Sequence, residues 1–373
     1  MSELNVISWN EAGEDRSARW QSESGVAAPR RVLIADDKMT ADSAFRLASE
    51  GTALLWRGDY QNARQLLQAL ARRTERKPRK AATSPKDAFN LHRQAQSQRA
   101  RTLGMLLIAI DADYTIPLRR APDIKLACNE AYGASTGPFI VSLRELLGLI
   151  GAHEWRKNGV EIAALGARIH PYYGVFSPVR GEYLNLIAEA PLPAKTLAFD
   201  IGTGTGVIAA LLAQRGVAKV IATDQDARAL ACARENLLRL DLRDRVSVVE
   251  ADLFPAGRAP LIVCNPPWIP ARPNSPIEYA IYDPDSRMLR GFLNGLAAHL
   301  EPKGEGWLIL SDLAEHLGLR TREELQQMID SAGLKVIARI DTKPTHPRAA
   351  DESDPLHQAR SAELTSLWRL AAR

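Results

Sequence analysis

The second half of the sequence predicts an α/β domain with a doubly wound, mostly parallel sheet. A smaller N-terminal domain, α/β or mostly α, precedes it. Three observations carry this expectation. From Leu197 onward, near-continuous apolar strands alternate with helical stretches, as in a parallel sheet covered on both faces. The chain has 373 residues, more than one hydrophobic core usually serves. Polar residues then recur where predicted strands end, at Asp200, Asp224, Asp252 and Asn265, and open α/β sheets hold ligands at that end.

In chain order, residues 1–29 are polar with scattered Gly, Ser and Pro and predict a disordered tail. Within a domain spanning 30–155, Thr40–Glu50 reads as a short helix with Thr40 as N-cap, and Thr52–Trp56 as a strand. Tyr60–Arg73 predicts an amphipathic helix, because Ala63, Leu66, Leu67 and Leu70 recur at spacings of three and four. Arg72–Pro85 reads as a loop, Asp87–Gly104 as a polar helix and Met105–Ile110 as a buried strand. Asp123–Tyr132 and Ser142–Trp155 read as helices. The segment 156–190 predicts a hairpin turning at Leu165–Gly166, then a helix that stops before Pro191.

The domain 191–373 is the most regular part. Strands are predicted at Leu197–Asp200, Lys219–Thr223, Val246–Glu250, Leu261–Cys264, Gly306–Leu310, Leu334–Ile340 and Leu364–Leu370. Helices fall at Val207–Arg215, Asp226–Leu240, Ser286–Leu300 and Thr321–Ala332. Asp341–Arg360 is a polar insertion before the last strand and a candidate cover for a bound substrate.

Composition narrows the class. The net charge is +4, but ten Lys/Arg stand against two acids between Arg72 and Arg101. Such a block suits nucleic-acid contact through residues 72–101, or is simply a solvated linker and helix face. Cys128, Cys232 and Cys264 are far apart, and the seven histidines show no ligand spacing; neither a disulfide framework nor a metal site is expected. The longest apolar run, Met105–Ile110, is too short to span a bilayer, and the acidic N-terminus does not suit a signal peptide. The expectation is a cytoplasmic protein.

Two motifs carry chemistry. Thr196–Gly206 reads TLAFDIGTGTG, a strand entering a glycine turn before a helix. Gly202, Gly204 and Gly206 permit positive φ and close approach of a ligand to the backbone. The helix that follows presents free N–H groups to an anionic group. Asp224, 22 residues after Gly202, can accept both hydroxyls of a ribose or cap the next helix. Asp252 can accept from an adenine amino group or cap a turn. These features alone also fit a nicotinamide-dependent dehydrogenase.

The second motif, Asn265-Pro266-Pro267-Trp268, separates the two readings. Two prolines fix the backbone and remove two N–H donors. The carbonyls and the Asn265 side chain then accept two hydrogen bonds from an NH2 group, leaving its lone pair aimed elsewhere. Trp268, expected as an exposed aromatic, can stack on the planar group that bears that NH2. Hydride transfer needs none of this.

With both motifs in order, the chain resembles class I S-adenosylmethionine-dependent methyltransferases of the Asn-Pro-Pro-aromatic type. This methyltransferase small-domain group includes the release-factor glutamine methyltransferases and ribosomal-RNA methyltransferases. The likeness runs from about Val175 to Arg373. It implies a Rossmann-like doubly wound seven-stranded methyltransferase sheet, S-adenosyl-L-methionine as cofactor, and residues 30–155 as a substrate-recognition domain. It implies methyl transfer to a planar NH2 nitrogen: a glutamine amide in a ribosome-associated or other translation-related protein. A ribosomal RNA base is the alternative, and a catalytically silent binding module a further one. By the same likeness, Asp200, Gly202, Thr203, Gly204 and Gly206 hold the methionine part of the cofactor, Asp224 its ribose, and Asp252 its adenine. Asn265 lies against both cofactor and target, with Pro266, Pro267 and Trp268 completing the target grip. Two departures stand out. Trp268 replaces the commoner Tyr or Phe, and Val179 separates Pro178 from Arg180 in the segment Gly174–Glu182, where the glutamine enzymes place Arg directly after Pro.

Overall fold

The computed structural model describes residues 5–75, 81–178, 181–273, 276–345 and 351–373. The chain divides into two units. One holds the described residues up to Ala81 with Asn90–Glu154, the other Ala82–Phe89 with Trp155–Arg373.

The first unit is α/β. Its elements are β1 (Val6–Glu11), β2 (Glu14–Trp20), β3 (Arg31–Ala35), α1 (Ala41–Ser49), β4 (Thr52–Trp56) and α2 (Tyr60–Glu75). There follow α3 (Pro85–Leu103, from Asn90 onward), β5 (Leu106–Ile110), α4 (Lys125–Tyr132), β6 (Phe139–Ser142) and α5 (Leu143–Asn158, as far as Glu154). The strands form one sheet in the order β1-β2-β6-β5-β4-β3. Thr40 caps α1 by accepting from the Ser43 N–H at 3.3 Å, and α2 buries Ala63, Leu66, Leu67 and Leu70, as the spacing predicts.

Two expectations are corrected here. Residues 6–20 are not a disordered tail but a hairpin, paired from Val6↔Arg19 to Glu11↔Glu14. Ala12 and Gly13 make its two-residue turn with φ of 56° and 88°, which matches the twist of the strands. Ile7 and Trp20 are buried against Leu55, Leu107 and Ile140, and the Trp20 indole donates to the Val26 carbonyl at 2.7 Å. The polar outer face of the hairpin conceals this apolar inner one when the segment is read by composition. Second, Phe139–Ser142 forms a strand antiparallel to β5, just ahead of the predicted helix. Residues 76–80 of the expected loop and of the basic stretch lie outside the described residues, as do residues 1–4 of the expected tail.

The second unit comprises β7 (Val160–Ile162), β8 (Ala167–Ile169), α6 (Glu182–Glu189), β9 (Leu197–Ile201), α7 (Val207–Gln214), β10 (Lys219–Asp224) and α8 (Ala227–Arg239). It continues with β11 (Val246–Glu250), β12 (Ala259–Cys264), α9 (Arg287–His299), β13 (Leu300–Ser311), α10 (Leu313–His316) and α11 (Arg322–Ser331). The last elements are β14 (Leu334–Thr342), α12 (His357–Ala362) and β15 (Thr365–Ala372). The seven-stranded sheet runs β11-β10-β9-β12-β13-β15-β14. It is parallel except at β15, which is antiparallel to both neighbours. Chain order steps outward from β9 in one direction to β11 and in the other to β13, so the switch point lies between β9 and β12.

The sheet is covered on both faces. The β7–β8 hairpin, α6 and α7 pack on one face through Leu165, Leu184, Ile187, Leu211 and Leu212. The segment 156–190 is therefore part of this unit rather than a separate connection. On the other face α9 and α11 bury Phe292, Leu293, Leu296, Leu325 and Ile329; each such side chain contributes about 1.5–3 kcal/mol. The insertion 341–360 is corrected in part. Leu356, with Ala359 of α12, is buried against Phe89, Ile269, Leu313 and Leu317, so its C-terminal end is core. Residues 346–350 lie outside the described residues.

Candidate active site

The site is built where β9, β10 and β12 end. Asp200 is almost fully buried on β9. Its Oδ2 accepts from the Thr203 hydroxyl at 2.6 Å and from the Ala209 N–H at 3.1 Å, tying the turn to α7. Its Oδ1 is buried with no partner among the described residues. Burial raises the carboxyl to about 7, against the opposing hydrogen bonds. Thr203 donates its N–H to the Thr223 carbonyl at 2.8 Å, so both its polar groups hold the turn.

Gly202, Gly204 and Gly206 all have left-handed φ, at 72°, 55° and 83°, but their surroundings differ. A Cβ at Gly202 would meet Met288 Cε at 2.4 Å, and one at Gly206 would meet Ala233 of α8 at 3.3 Å. A Cβ at Gly204 would meet nothing within 4 Å. The middle glycine alone faces open space.

Asp224 ends β10 with its side chain half-buried. Its Oδ2 accepts from the Gly204 N–H at 3.0 Å and its Oδ1 from the Asp226 N–H at 3.0 Å. Burial pushes its carboxyl upward. The cap of α8 is Asp226, which accepts from the Arg228 and Ala229 N–H groups; Asp224 is thereby left to the turn. Asp252, expected to face an adenine or cap a turn, is exposed and pairs through Oδ2 with Arg287 of α9 at 2.7 Å.

Asn265 follows β12, whose Cys264 pairs in register with Ile201 of β9. This places the Asn-Pro-Pro elbow beside the glycine turn. Trp268 departs from expectation. It is half-buried and packs against the cores on both faces of the sheet. Its indole N–H donates to Asn265 Oδ1 at 2.8 Å. Its ring meets Tyr183 edge to face, 6.5 Å between centroids at 89°.

Sequence reasoning missed Tyr183, which is buried on α6. Its hydroxyl takes a hydrogen bond from the Asn265 side chain, while burial and the nearby Asp200 push its ionisation well above the usual tyrosine range. A tyrosine on the apolar face of a helix rich in Leu and Ile was the available signal. Asp283 was missed as well: it is buried and accepts from the Met288 and Leu289 N–H groups, seating α9 and the Met288 side chain over Gly202.

The remaining reactive groups have no part in this site. Burial raises the three thiols, Cys128 to about 12, Cys232 to about 11 and Cys264 further, so none supplies a thiolate. Among the described residues no cluster of His, Cys, Asp and Glu could hold a metal, and no helix is long and apolar enough to cross a membrane.

Residues 169–331 match the family model described as the methyltransferase small domain. Among curated proteins, the chain is 31% identical over 157 residues to the release factor glutamine methyltransferase of Caulobacter vibrioides, covering 40% of this chain and 54% of the relative. It is 32% identical to the release factor glutamine methyltransferase of Cereibacter sphaeroides, covering 44% and 61%. The tRNA1(Val) (adenine(37)-N6)-methyltransferase of Shewanella loihica is 28% identical over 200 residues, covering 50% and 79%. The chain thus spans little more than half the length of the first two relatives. Among solved structures, a methyltransferase from Pyrococcus furiosus aligns over 62% of this chain and 99% of its own, at 18% identity and a TM-score of 0.41. The matched residues 169–331 all lie within the second unit of this chain.

Proposed function

We propose that this protein is an S-adenosylmethionine-dependent N-methyltransferase acting on a planar NH2 group, with a glutamine amide of a translation-related protein as the target. The observation that carries the reading is Asn265-Pro266-Pro267 at the end of β12, one strand from the partnerless buried oxygen of Asp200. The residues present suit the cofactor. The free Asp200 Oδ1 suits an ammonium group, Gly204 leaves space over the turn, and Asp224 retains lone pairs for ribose hydroxyls. Asp252 has its Oδ1 left for an adenine amino group while Oδ2 is held by Arg287. When bound, S-adenosylmethionine would supply an electrophilic sulfonium methyl for the target nitrogen, with S-adenosylhomocysteine as the leaving group.

The chain's own residues make that nitrogen reactive. An amide nitrogen is a poor nucleophile because its lone pair is delocalised. Acceptors on both N–H bonds, at Asn265 Oδ1 and the Pro266 carbonyl, favour a pyramidal nitrogen and stabilise its developing positive charge. Holding it in line with the methyl provides much of the remainder. The extra proton leaves after transfer, so no strong base is needed. The test is methyl transfer to a release factor or ribosomal protein, with N-methylglutamine recovered on digestion; transfer to none would overturn the assignment.

The glycine turn gives a second test. Gly206→Ala meets Ala233 and a strained φ, and should lower stability by about 1–3 kcal/mol. Gly204→Ala has room and should lower it less, yet weaken S-adenosylhomocysteine binding at least tenfold by occupying the open space. Melting and calorimetric titration of both variants check this. Equal binding losses at the two positions would contradict the division of roles.

An exocyclic adenine amine of RNA is the second reading. It is favoured by the tRNA adenine-N6 relative, of which this chain covers 79%. The base would have to be unstacked to reach Asn265, and residues 72–101 would grip phosphates. Arg72, Lys86 and Arg101 are exposed there. Replacing all three with Gln should then weaken RNA binding and reduce the salt slope by about 2–3. An unchanged slope would remove this contact from the account.

A further inference from the structure

Asn265 is held at both ends of its carboxamide. The Trp268 indole N–H, which can only donate, faces its oxygen at 2.8 Å. Its NH2 group faces the buried Tyr183 hydroxyl oxygen. The Trp268 and Tyr183 rings then close against each other edge to face. Turning the carboxamide over would set its NH2 against the indole N–H, two donors with nothing between them. It would also present a donor, not an acceptor, to an incoming NH2. We propose that Trp268 and Tyr183 are positioning residues for methyl transfer: together they lock the Asn265 carboxamide with its oxygen toward the target nitrogen. This rests on the function proposed above.

The carboxamide oxygen has two lone pairs. The indole takes one and leaves the other for the target, so the lock does not compete with the substrate. A Phe or Tyr at position 268 keeps an aromatic face but has no ring N–H to give. The indole of Trp268 therefore does something that the commoner residues of the motif do not do by the same bond. Tyr183 completes the arrangement from α6, about eighty residues earlier in the chain.

Trp268→Phe keeps the ring and removes the donor; Tyr183→Phe keeps the packing and removes the hydroxyl. Each should lower kcat about tenfold while S-adenosylhomocysteine affinity stays within twofold. In an Asn265→Ala background neither should lower it further. A purely structural role would instead lower the melting temperature and act equally in both backgrounds, overturning the proposal. An independent readout needs no methyl acceptor. The indole N–H resonance of Trp268, assigned by its loss in Trp268→Phe, should move in Asn265→Ala; an unmoved resonance would also overturn the lock. If the wild type transferred no methyl while that resonance moved as expected, the assigned function would fail and the lock would lose its role in transfer though not its geometry.

Discussion

Asn265→Ala is expected to slow methyl transfer by roughly 10²–10³-fold, the range seen when one preorganised polar partner of a transition state is removed. Cofactor affinity should change no more than about threefold. The asymmetry follows from position. Asn265 is half-buried beyond β12 and bonded to Trp268 and Tyr183. The groups proposed to hold the cofactor, Asp200, Gly204 and Asp224, sit on β9, β10 and the turn between β9 and α7. The loss should appear in kcat under saturating cofactor, read by release of S-adenosylhomocysteine. Asn265→Asp is a sharper variant. It keeps the acceptor oxygen and the indole bond, but replaces the NH2 that donates to Tyr183 with a second oxygen and adds a negative charge beside the target. Equal losses of kcat and cofactor affinity in Asn265→Ala would show that Asn265 serves the cofactor instead.

Asp200→Asn is expected to stabilise the ligand-free protein at alkaline pH and weaken cofactor binding at the same time. The Asp200 carboxyl is raised from 3.8 to about 7 in the fold. Its ionised form therefore opposes folding. The opposition is absent below about pH 4, grows as pH rises, and is complete above about pH 7, reaching on the order of 4 kcal/mol. Asparagine keeps an oxygen for the Thr203 hydroxyl and the Ala209 N–H and carries no charge. It leaves a buried NH2 unpartnered, which costs about 1–3 kcal/mol. The net should be a gain in Tm of roughly 3–8 °C at pH 8, shrinking to zero or reversing near pH 5. Cofactor affinity should fall at least tenfold, because the carboxylate that opposes the empty fold is the one that suits an ammonium group. A variant that melts lower by the same margin at every pH would contradict this. Strain retained at a ligand site is the general form of such a trade.

The seven strands of the larger sheet in the second unit were legible because each is a short apolar run ending in a polar residue or a turn, and each intervening helix carries its own signal. Thr321 and Glu324 form the capping box of α11, and Asp226 caps α8. The hairpin at residues 6–20 was not legible. Its inner face rests on alternate residues, Ile7, Trp9, Ala18 and Trp20, diluted by Arg, Asp and Glu between them. The strand Phe139–Ser142 was missed because only four residues separate its start from α5, too few for a period to show.

The site shows the same division. Asp200, the three glycines, Asp224 and Asn265 could be placed from the chain because strand ends and glycine turns are local features. The partners could not. Arg287 reaches Asp252 from 35 residues away, and Tyr183 meets Asn265 only once α6 packs against the sheet. Trp268 illustrates the limit most plainly. Its aromatic face suggested stacking from sequence, whereas its N–H is what the fold engages.

Transfer of a methyl group to a planar nitrogen held by Asn265 can be followed with methyl-labelled S-adenosylmethionine, the purified full chain and an extract of cells from which its gene has been deleted. The labelled material is divided between ribonuclease and protease digestion, beside a parallel reaction with Asn265→Ala. The label should survive ribonuclease, be released by protease as N-methylglutamine, and be lost in the variant. Label released by ribonuclease would move the target to an RNA amine. Label in neither fraction, with cofactor bound normally, would contradict methyl transfer itself.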